Sequence, residues 1–195
     1  MNRPFAVLVD PGHGGKDPGA CGIEAQINLL VALSVRTLLR SIGFSCWLTR
    51  KDISTFVSLQ DRCRMEWDLR PALFLSLHCN SAGLPDGSVN PVPQGIEVWT
   101  SPGQTKSDPA ATCIFTSLQH AFPERTFRKD MSDGDPDKEA RFRVLTGTLG
   151  PAVLVEMGFV SNPAERAWLE RTETQVQMAM AICAGILAWR QHGLV

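Results

Sequence analysis

The stretch Phe5-Ala-Val-Leu-Val-Asp-Pro-Gly-His-Gly-Gly15 indicates the fold class, because an apolar run ends there in a glycine-rich polar loop. An unbroken apolar run such as residues 5–9 is typical of a strand that is buried on both faces of a sheet. The turn-forming residues 10–15 predict a loop at the carboxyl end of that strand. Ligands bind at this end of the strands in open α/β sheets, so the loop predicts a functional site.

The rest of the chain alternates between patterns typical of strands and of helices. We predict strands at residues 5–9, 44–49, 72–78, 95–100, 142–145 and 152–156, helices at 24–42, 59–69, 109–122, 163–169 and 174–192, and loops at 79–94 and 123–141. This alternation predicts an α/β fold with a mostly parallel, twisted central sheet of about six strands and helices on both faces. No linker or repeat divides the sequence, so we expect residues 1–195 to form a single domain.

Composition excludes several classes of protein. Apolar residues make up 44% of the 195 positions and the formal charge is -1. The apolar content excludes a disordered chain, and the near-zero charge argues against nucleic acid as a partner. The longest apolar stretch, residues 178–189, is too short to span a bilayer, so we expect no integral membrane segment.

The positions of the six cysteines indicate whether the protein is made in a reducing or an oxidising compartment. They are Cys21, Cys46, Cys63, Cys79, Cys113 and Cys183. Because they are dispersed and form no C-x-x-C pair, we expect reduced and mostly buried thiols. The first residues show no signal-peptide pattern, so we expect cytoplasmic synthesis.

Three polar residues lie at predicted strand ends and are candidates for chemistry: His13, His78 and Glu156. Two histidines and a carboxylate are a common ligand set for catalytic zinc, and Asp10 is placed to orient the imidazole of His13. Glu24, at the start of the first helix, competes with Glu156 as the third ligand. Spacing alone leaves the alternative open that these are ordinary loop and core residues.

Four blocks of the sequence carry a family resemblance: Val7-Leu-Val-Asp-Pro-Gly-His-Gly-Gly-Lys-Asp-Pro-Gly-Ala20, Glu24-Ala-Gln-Ile-Asn-Leu29, Ser76-Leu-His-Cys-Asn-Ser81 and Pro151-Ala-Val-Leu-Val-Glu-Met-Gly-Phe-Val-Ser-Asn-Pro-Ala-Glu165. In this order they resemble the zinc-dependent N-acetylmuramoyl-L-alanine amidases of the amidase-3 family. The family pattern between the second strand and second helix is matched by Thr49, Arg50, Asp52, Leu59 and Arg62. The blocks together cover nearly the whole chain.

The resemblance implies both an activity and a set of roles. The family hydrolyses the amide between the lactyl group of N-acetylmuramic acid and the L-alanine of the stem peptide. It implies that His13, Glu24 and His78 bind one Zn²⁺ ion and that Glu156 is the catalytic glutamate. These roles are chemically reasonable, because zinc polarises a carbonyl and lowers the pKa of water towards about 7, while a separate glutamate moves the proton.

Further residues are expected to support this site. Residues that bind substrate or stabilise the ligands are expected at Asp10, Asn28 and Asn80. Asn28 lies one helical turn beyond Glu24 and is expected either to hydrogen-bond near the site or to pack. Asn80 is expected to orient the substrate or the loop after His78, or simply to form a turn.

Other residues in the matching blocks are expected to be structural. Arg50 and Arg62 are interpreted as ion-pair formers, and Ser161-Asn162 as the cap of the next helix. Strand alternation predicts that Cys79 points away from the face of His78, which argues against a thiolate ligand.

Two departures from the family concern the surroundings of the site. Thr146 stands where the family often has a basic residue, which leaves substrate positioning less defined than metal binding. Secreted cell-division members carry an autoinhibitory helical insertion, whereas residues 101–141 show one ordinary helix and a polar loop. We therefore expect an ungated enzyme.

The resemblance leads to a specific hypothesis about biological function. We expect a monomeric peptidoglycan hydrolase with no separate wall-binding domain, held in the cytoplasm and acting on the cell wall after release. A phage or prophage endolysin, or an autolysin released by lysis, fits this expectation. The alternatives are a cytosolic zinc amidohydrolase acting on soluble muropeptides, and a non-catalytic wall-binding or phage structural module on the same fold.

Overall fold

The structure, a computed structural model, describes residues 5–193, with side chains as far as Gln191. Its strands are β1 (Ala6–Pro11), β2 (Ser45–Leu48), β3 (Leu73–Asn80), β4 (Glu97–Thr100), β5 (Lys138–Glu139) and β6 (Ala152–Phe159). Its helices are α1 (Glu24–Ser41), α2 (Leu59–Leu69), α3 (Asp108–Ala121), α4 (Arg143–Thr146), α5 (Pro163–Leu169) and α6 (Thr172–Gly193), with a 3-10 turn at Ala20–Gly22. Residues 1–4, which begin the segment interpreted as lacking a signal peptide, lie outside the described residues.

The six strands form one sheet in the order β2-β1-β3-β6-β4-β5. All neighbouring strands are parallel except β4 and β6, which are antiparallel. The predicted fold class is therefore confirmed. The parallel run β2-β1-β3-β6 brings the carboxyl ends of four strands to one edge, where a ligand site is expected.

The sheet is covered on both faces because successive strand residues point to opposite sides. In β1, Val7 and Val9 belong to a large core that includes residues of α1, α3 and α6. Leu8, between them, belongs to a smaller core with Val144 and Leu145 of α4. This double burial explains why β1 reads as a continuous apolar run rather than an alternating one.

Two helix starts are defined by side-chain caps that the sequence shows. At the start of α2, the hydroxyl of Ser58 accepts a hydrogen bond from the amide of Asp61 and donates one to the carboxylate of the same residue. Asn162 accepts from the amides of Ala164 and Glu165 at the start of α5. The cap expected at Ser161-Asn162 is thus supplied by Asn162, whereas the hydroxyl of Ser161 accepts from the amide of Ala82.

The strand predicted at residues 142–145 is wrong, since this segment is the short helix α4. Val144 and Leu145 are adjacent and both 4% exposed. A strand would point them to opposite faces, whereas a helical turn directs both into the smaller core. The sixth strand is instead β5, two residues within the segment 123–141 that was predicted to be a loop.

Most of the cysteines are buried, as their dispersed positions predicted. All six cysteines are free thiols, and four of them are buried, namely Cys46, Cys63, Cys79 and Cys183. Between residues 5 and 193, none of the helices combines the length and the apolar character that crossing a membrane requires.

Candidate metal centre and catalytic site

The four candidate active-site residues meet at the carboxyl ends of β1, β3 and β6. His13 follows β1 by two residues, and Glu24 is the first residue of α1. His78 lies near the end of β3, directly opposite Glu156 in the register with β6. The parallel pairing of these strands is what brings residues from both ends of the chain together.

Two histidines and one carboxylate form a compact cluster of potential ligands. One donor atom from each of His13, Glu24 and His78 lies within 4.8 Å of the other two. Glu24 Oε1 is 3.1 Å from His13 Nε2 and 2.9 Å from His78 Nδ1. Within residues 5–193 no other group of three such side chains comes this close together.

The charges in this cluster favour a bound cation. Burial by itself raises the pKa of Glu24, but hydrogen bonds and charge from His13 and His78 lower it well below its ordinary range. Burial lowers the pKa of His13, but Glu24 and Asp17 raise it to about 9. In the metal-free protein Glu24 favours protons on the two imidazoles, which a divalent cation would displace on binding. Two histidines and one ionised carboxylate are a ligand set typical of catalytic zinc.

Backbone and side-chain donors hold the carboxylate of Glu24 in place. Its Oε2 accepts a hydrogen bond of 2.8 Å from the amide of Ala20. Its Oε1 is 3.2 Å from the amide of Cys79 and 3.3 Å from Nδ2 of Asn28. Asn28 is fully buried and lies 3.5 Å from the carbonyl of Gly12, so it hydrogen-bonds within the site rather than simply packing.

The prediction that Asp10 orients the imidazole of His13 is wrong. The partner of His13 Nδ1 is Asp17, whose Oδ2 lies 2.8 Å away. This bond leaves Nε2 of His13 directed at Glu24. Sequence reasoning missed Asp17, although a carboxylate four residues after His13 in a glycine-rich loop was a usable signal, since such loops can fold back on themselves.

Asp10 instead supports the backbone of the loop that carries His13. Its carboxylate is buried, accepts from Thr49 and Ser76 at 2.6 and 2.8 Å, and pairs with Arg62. The guanidinium of Arg62 also donates to the carbonyl of His13 at 2.8 Å. Asp10 therefore acts on His13 through Arg62 and the main chain, as a structural ion pair.

Arg50 organises the same loop entirely through carbonyl groups. Its guanidinium donates to the carbonyls of Pro11, Gly12 and Ala25 at 3.0, 2.8 and 2.7 Å. These bonds tie the end of β1 to the first turn of α1. The structural interpretation of Arg50 holds, but its partners are backbone oxygens rather than a carboxylate.

Glycine is required at two positions because side chains would collide with ligands. A Cβ on Gly12 would lie 2.2 Å from Cε1 of His78, and one on Gly19 would lie 2.8 Å from Glu24 Oε2. Gly19 also has φ of +70°, a region that favours glycine. The loop glycines thus permit the close approach of the donors.

Glu156 has the environment of a group that holds a proton near neutral pH. Its Oε2 is buried and, within the described part of the chain, has no hydrogen-bond partner. Burial raises the pKa of Glu156 to about 7; the charge of His78 opposes this rise, and Glu24 and Glu97 add to it. A carboxyl group with this pKa can both accept and deliver a proton.

Asn80 hydrogen-bonds to Glu97, a second residue that sequence reasoning missed. The Nδ2 of Asn80 donates to Glu97 Oε2 at 3.0 Å, and its Oδ1 accepts from the amide of Ser81 at 2.8 Å. Asn80 therefore fixes both the loop after His78 and the carboxylate of Glu97. Glu97 lies opposite Glu156 in the antiparallel pairing of β4 and β6.

Two further residues lie outside the ligand cluster. Cys79 is 2% exposed, and burial raises the pKa of its thiol well above the ordinary value. Its Sγ lies 3.5 Å from Asn28 Oδ1, so a neutral thiol packs behind the site. Thr146 is exposed on α4, where its hydroxyl donates to the carbonyl of Phe142 at 3.1 Å.

The sheet and the cluster define an α/β protein with a site typical of metal-dependent hydrolases, and sequence comparison identifies the family. The profile of the Amidase_3 family, described as N-acetylmuramoyl-L-alanine amidase, matches residues 7–188. The chain therefore belongs to the Amidase_3 family of peptidoglycan amidases.

Relatives of this chain include named amidases of two bacterial species. The N-acetylmuramoyl-L-alanine amidase AmiA of Salmonella typhimurium is 29% identical, over 94% of this chain and 75% of its own length. LytC of Bacillus subtilis is 30% identical over 94% of this chain but only 35% of its own length. The chain thus corresponds to one part of some larger amidases.

Solved amidase structures share the fold over almost the whole chain. The catalytic domain of CwlV from Bacillus (Paenibacillus) polymyxa superposes with a TM-score of 0.83 at 31% identity, covering 95% of this chain and 98% of that domain. AmiC2 of Nostoc punctiforme gives 0.82 at 30% identity, covering 96% and 97%. The observed fold is therefore that of an amidase catalytic domain.

Proposed function

We propose that this protein hydrolyses the amide between N-acetylmuramic acid and L-alanine in peptidoglycan, using one zinc ion held by His13, Glu24 and His78. Family membership supports the reaction, and the three donor atoms within 4.8 Å of one another support the metal site. Zinc bound there would polarise the amide carbonyl and lower the pKa of water.

Glu156 is proposed as the general base and acid. It lies opposite His78, and its buried Oε2 lacks a partner in the described residues, so this oxygen is available for a proton from water. The same oxygen can then deliver the proton to the nitrogen of the leaving L-alanine. In the metal-free protein burial raises the pKa of Glu156 to about 7, which shows that this pocket favours the protonated carboxyl group.

The substitution Glu156→Gln tests this assignment. It removes the proton acceptor but leaves all three proposed ligands, so we expect one equivalent of zinc to be retained and kcat to fall by about 10²- to 10⁴-fold. Zinc content is measured by elemental analysis and turnover by mass spectrometry of stem peptides released from purified sacculi. Full turnover in the variant would exclude Glu156 from this role.

We also propose that the enzyme is ungated. The segment between β4 and α4 contains α3, and buried side chains of this helix, Ile114 and Leu118 among them, belong to the same core as α6. The match to AmiA extends over 224 residues, more than the 195 of this chain, so that relative has residues with no counterpart here. Hydrolysis of sacculi by the purified protein alone is expected; a requirement for an activator protein would contradict it.

The remaining proposals concern assembly and location. All four proposed active-site residues come from one chain, which supports a functional monomer, and sedimentation velocity measures this directly. Six free thiols support a reducing compartment and action on the wall after release, as in an endolysin or a lysis-released autolysin. Activity on soluble muropeptides but not on sacculi would favour the cytosolic alternative, and metal binding without any hydrolysis would favour a non-catalytic module.

A further inference from the structure

We propose that Arg128 and Lys138, both held on the buried carboxylate of Glu97, form a subsite for a carboxylate of the peptide part of the substrate. This inference rests on the proposed function, because the subsite lies beside the proposed catalytic residues. It assigns a ligand class to side chains that the amide-hydrolysis mechanism does not use.

The position of Glu97 places this subsite next to the reacting groups. Across the sheet, His78 is opposite Glu156 in β3 and β6, and Glu156 is opposite Glu97 in β6 and β4. Paired residues on neighbouring strands point to the same face, so these three side chains form a row. A substrate that reaches Glu156 therefore passes close to the groups around Glu97.

Glu97 is the centre of a fixed array of hydrogen-bond donors. It is 2% exposed, and its Oε1 accepts from Arg128 Nε at 2.5 Å and from Lys138 Nζ at 3.1 Å. Its Oε2 accepts from Asn80 and from the indole of Trp99, both at 3.0 Å. Within this array two cations face the single carboxylate of Glu97, and Lys138 also lies close enough to Asp130 for its charge to help lower the pKa of that carboxyl group.

The two cations remain accessible although their anchor is buried. The side chain of Arg128 is 44% exposed and that of Lys138 is 25% exposed. Arg128 uses Nε on Glu97, and within the described part of the chain its two Nη atoms donate no hydrogen bond. Those two nitrogens present the paired donors that bind a carboxylate end-on.

Aromatic side chains restrict where these cations can lie. Lys138 Nζ is 4.3 Å from the ring centroid of Trp99, and the guanidinium of Arg128 is 5.3 Å from that of Phe159. The exposed ring of Phe142 lies 5.4 Å from the ring of Trp99 and extends the aromatic surface beside Lys138. Cations held between an anion and aromatic faces are preorganised, which lowers the entropic cost of binding an anionic group.

The chemistry of the substrate indicates which anion would bind. The lactyl carboxyl group of the sugar is consumed in the scissile amide, so it carries no charge. A peptide with a free terminus has a carboxylate, so the negative charge lies on the leaving-group side. A cationic subsite beside Glu156 therefore recognises the peptide rather than the sugar.

The test compares two soluble muropeptides with the same sugar and peptide, one with free carboxylates and one with these groups amidated. We expect the zinc-loaded enzyme to have a kcat/KM about tenfold higher for the acid form, as for a charge-assisted pair. Arg128→Gln and Lys138→Gln are each expected to remove most of this preference by raising KM for the acid form alone. Arg128→Lys should retain part of it, and the matched control Lys129→Gln, at an exposed neighbouring cation, should retain all of it.

Two results would overturn the subsite. One is equal kcat/KM for both substrates with the wild-type enzyme; the other is a preference that is unchanged in both Arg128→Gln and Lys138→Gln. Because a substrate ratio is measured within each variant, partial loss of folded protein does not affect it. A wild-type enzyme that hydrolyses neither substrate would instead contradict the proposed function, and the subsite with it.

Discussion

The loop between β1 and α1 and the segment beside β5 both bury carboxylates, but they stabilise opposite protonation states. Glu24 accepts hydrogen bonds from backbone amides and from Asn28, and two imidazoles face it. Asp137, 3% exposed, accepts one bond of 2.6 Å from Thr100 and faces Asp135. Its Oδ1 and that of Asp135 have no hydrogen-bond partner among the described residues.

This difference shows that partners can outweigh burial in setting the charge of a buried acid. Burial opposes ionisation in both regions, but the pKa of Glu24 is lowered, whereas that of Asp137 is raised to about 8. Donors and imidazoles stabilise the anion of Glu24 and overcome the effect of burial, whereas at Asp137 a second carboxyl group, Asp135, adds to the effect of burial. Only the first region is prepared for a cation.

The largest effect is expected from Glu24→Gln, which removes the ionised carboxylate of the first region. The amide removes the negative charge that attracts the metal and places an NH₂ group among donors. We expect less than stoichiometric zinc after dialysis against zinc and hydrolysis of sacculi at the background rate. The control Glu124→Gln, at a largely exposed site, should behave as wild type. One tightly held zinc in Glu24→Gln would show that the carboxylate is dispensable.

A smaller effect is expected from Asp17→Asn, which weakens the partner of a proposed ligand. The amide can still hydrogen-bond to His13 Nδ1 but no longer supplies charge, so zinc affinity should fall by about 10- to 100-fold. Because Asp17 is half-exposed, we expect the lower end of that range. Competition with a chromophoric chelator measures the affinity, and Asp86→Asn, on an exposed loop, is the control. Unchanged affinity would mean that packing alone orients His13.

The smallest effect is expected from Asp137→Asn and concerns stability. With a pKa of about 8 when folded and about 3.9 when unfolded, Asp137 holds a proton in the folded state that the unfolded chain has lost. Stability from this group is therefore complete below about pH 4 and falls as the pH rises towards 8. Asp137→Asn removes this titration, so its free energy of unfolding should decline less between pH 5 and 8 than that of wild type.

Denaturant unfolding of the metal-free proteins at several pH values measures the free energy of unfolding of wild type and Asp137→Asn. Charged groups around Asp137 include Asp135 and Asp108, and both act in the same direction. The control Asp133→Asn changes an exposed carboxylate in the same segment and should leave the wild-type pH profile. Parallel profiles for wild type and Asp137→Asn would show that Asp137 is ionised in the folded protein.

Much of the fold was predictable because local patterns and tertiary burial agree. The apolar run before Asp10 predicted β1, and the cap expected at Ser161-Asn162 marked a helix start that the structure confirms at Asn162. The prediction failed at residues 142–145, where three apolar residues and one arginine are too few to show a period. There, contact with the smaller core selects a helical turn.

The site was predictable to the extent that each residue lies within a recognisable block. The structure brings His13, Glu24, His78 and Glu156 together. However, Asp10 forms an ion pair with Arg62, and the hydrogen-bond partner of His13 is Asp17. Glu97 could not be found from the sequence, since its importance depends on partners from β3, β5 and the chain before β5. Hydrogen-bond partners far apart in sequence are set by strand order, which no local pattern encodes.

The alternation of strands and helices, the loop that carries His13, and the resemblance to the family can all be recognised from the sequence alone. Apolar periodicity, turn chemistry and motif order are local properties, and each is written in consecutive residues. Folding sets which carboxylates are stabilised as anions and which cations lie on Glu97. A pKa depends on every charge and dipole within several ångströms, and the neighbours of Glu24, Glu97 and Asp137 are brought there by folding.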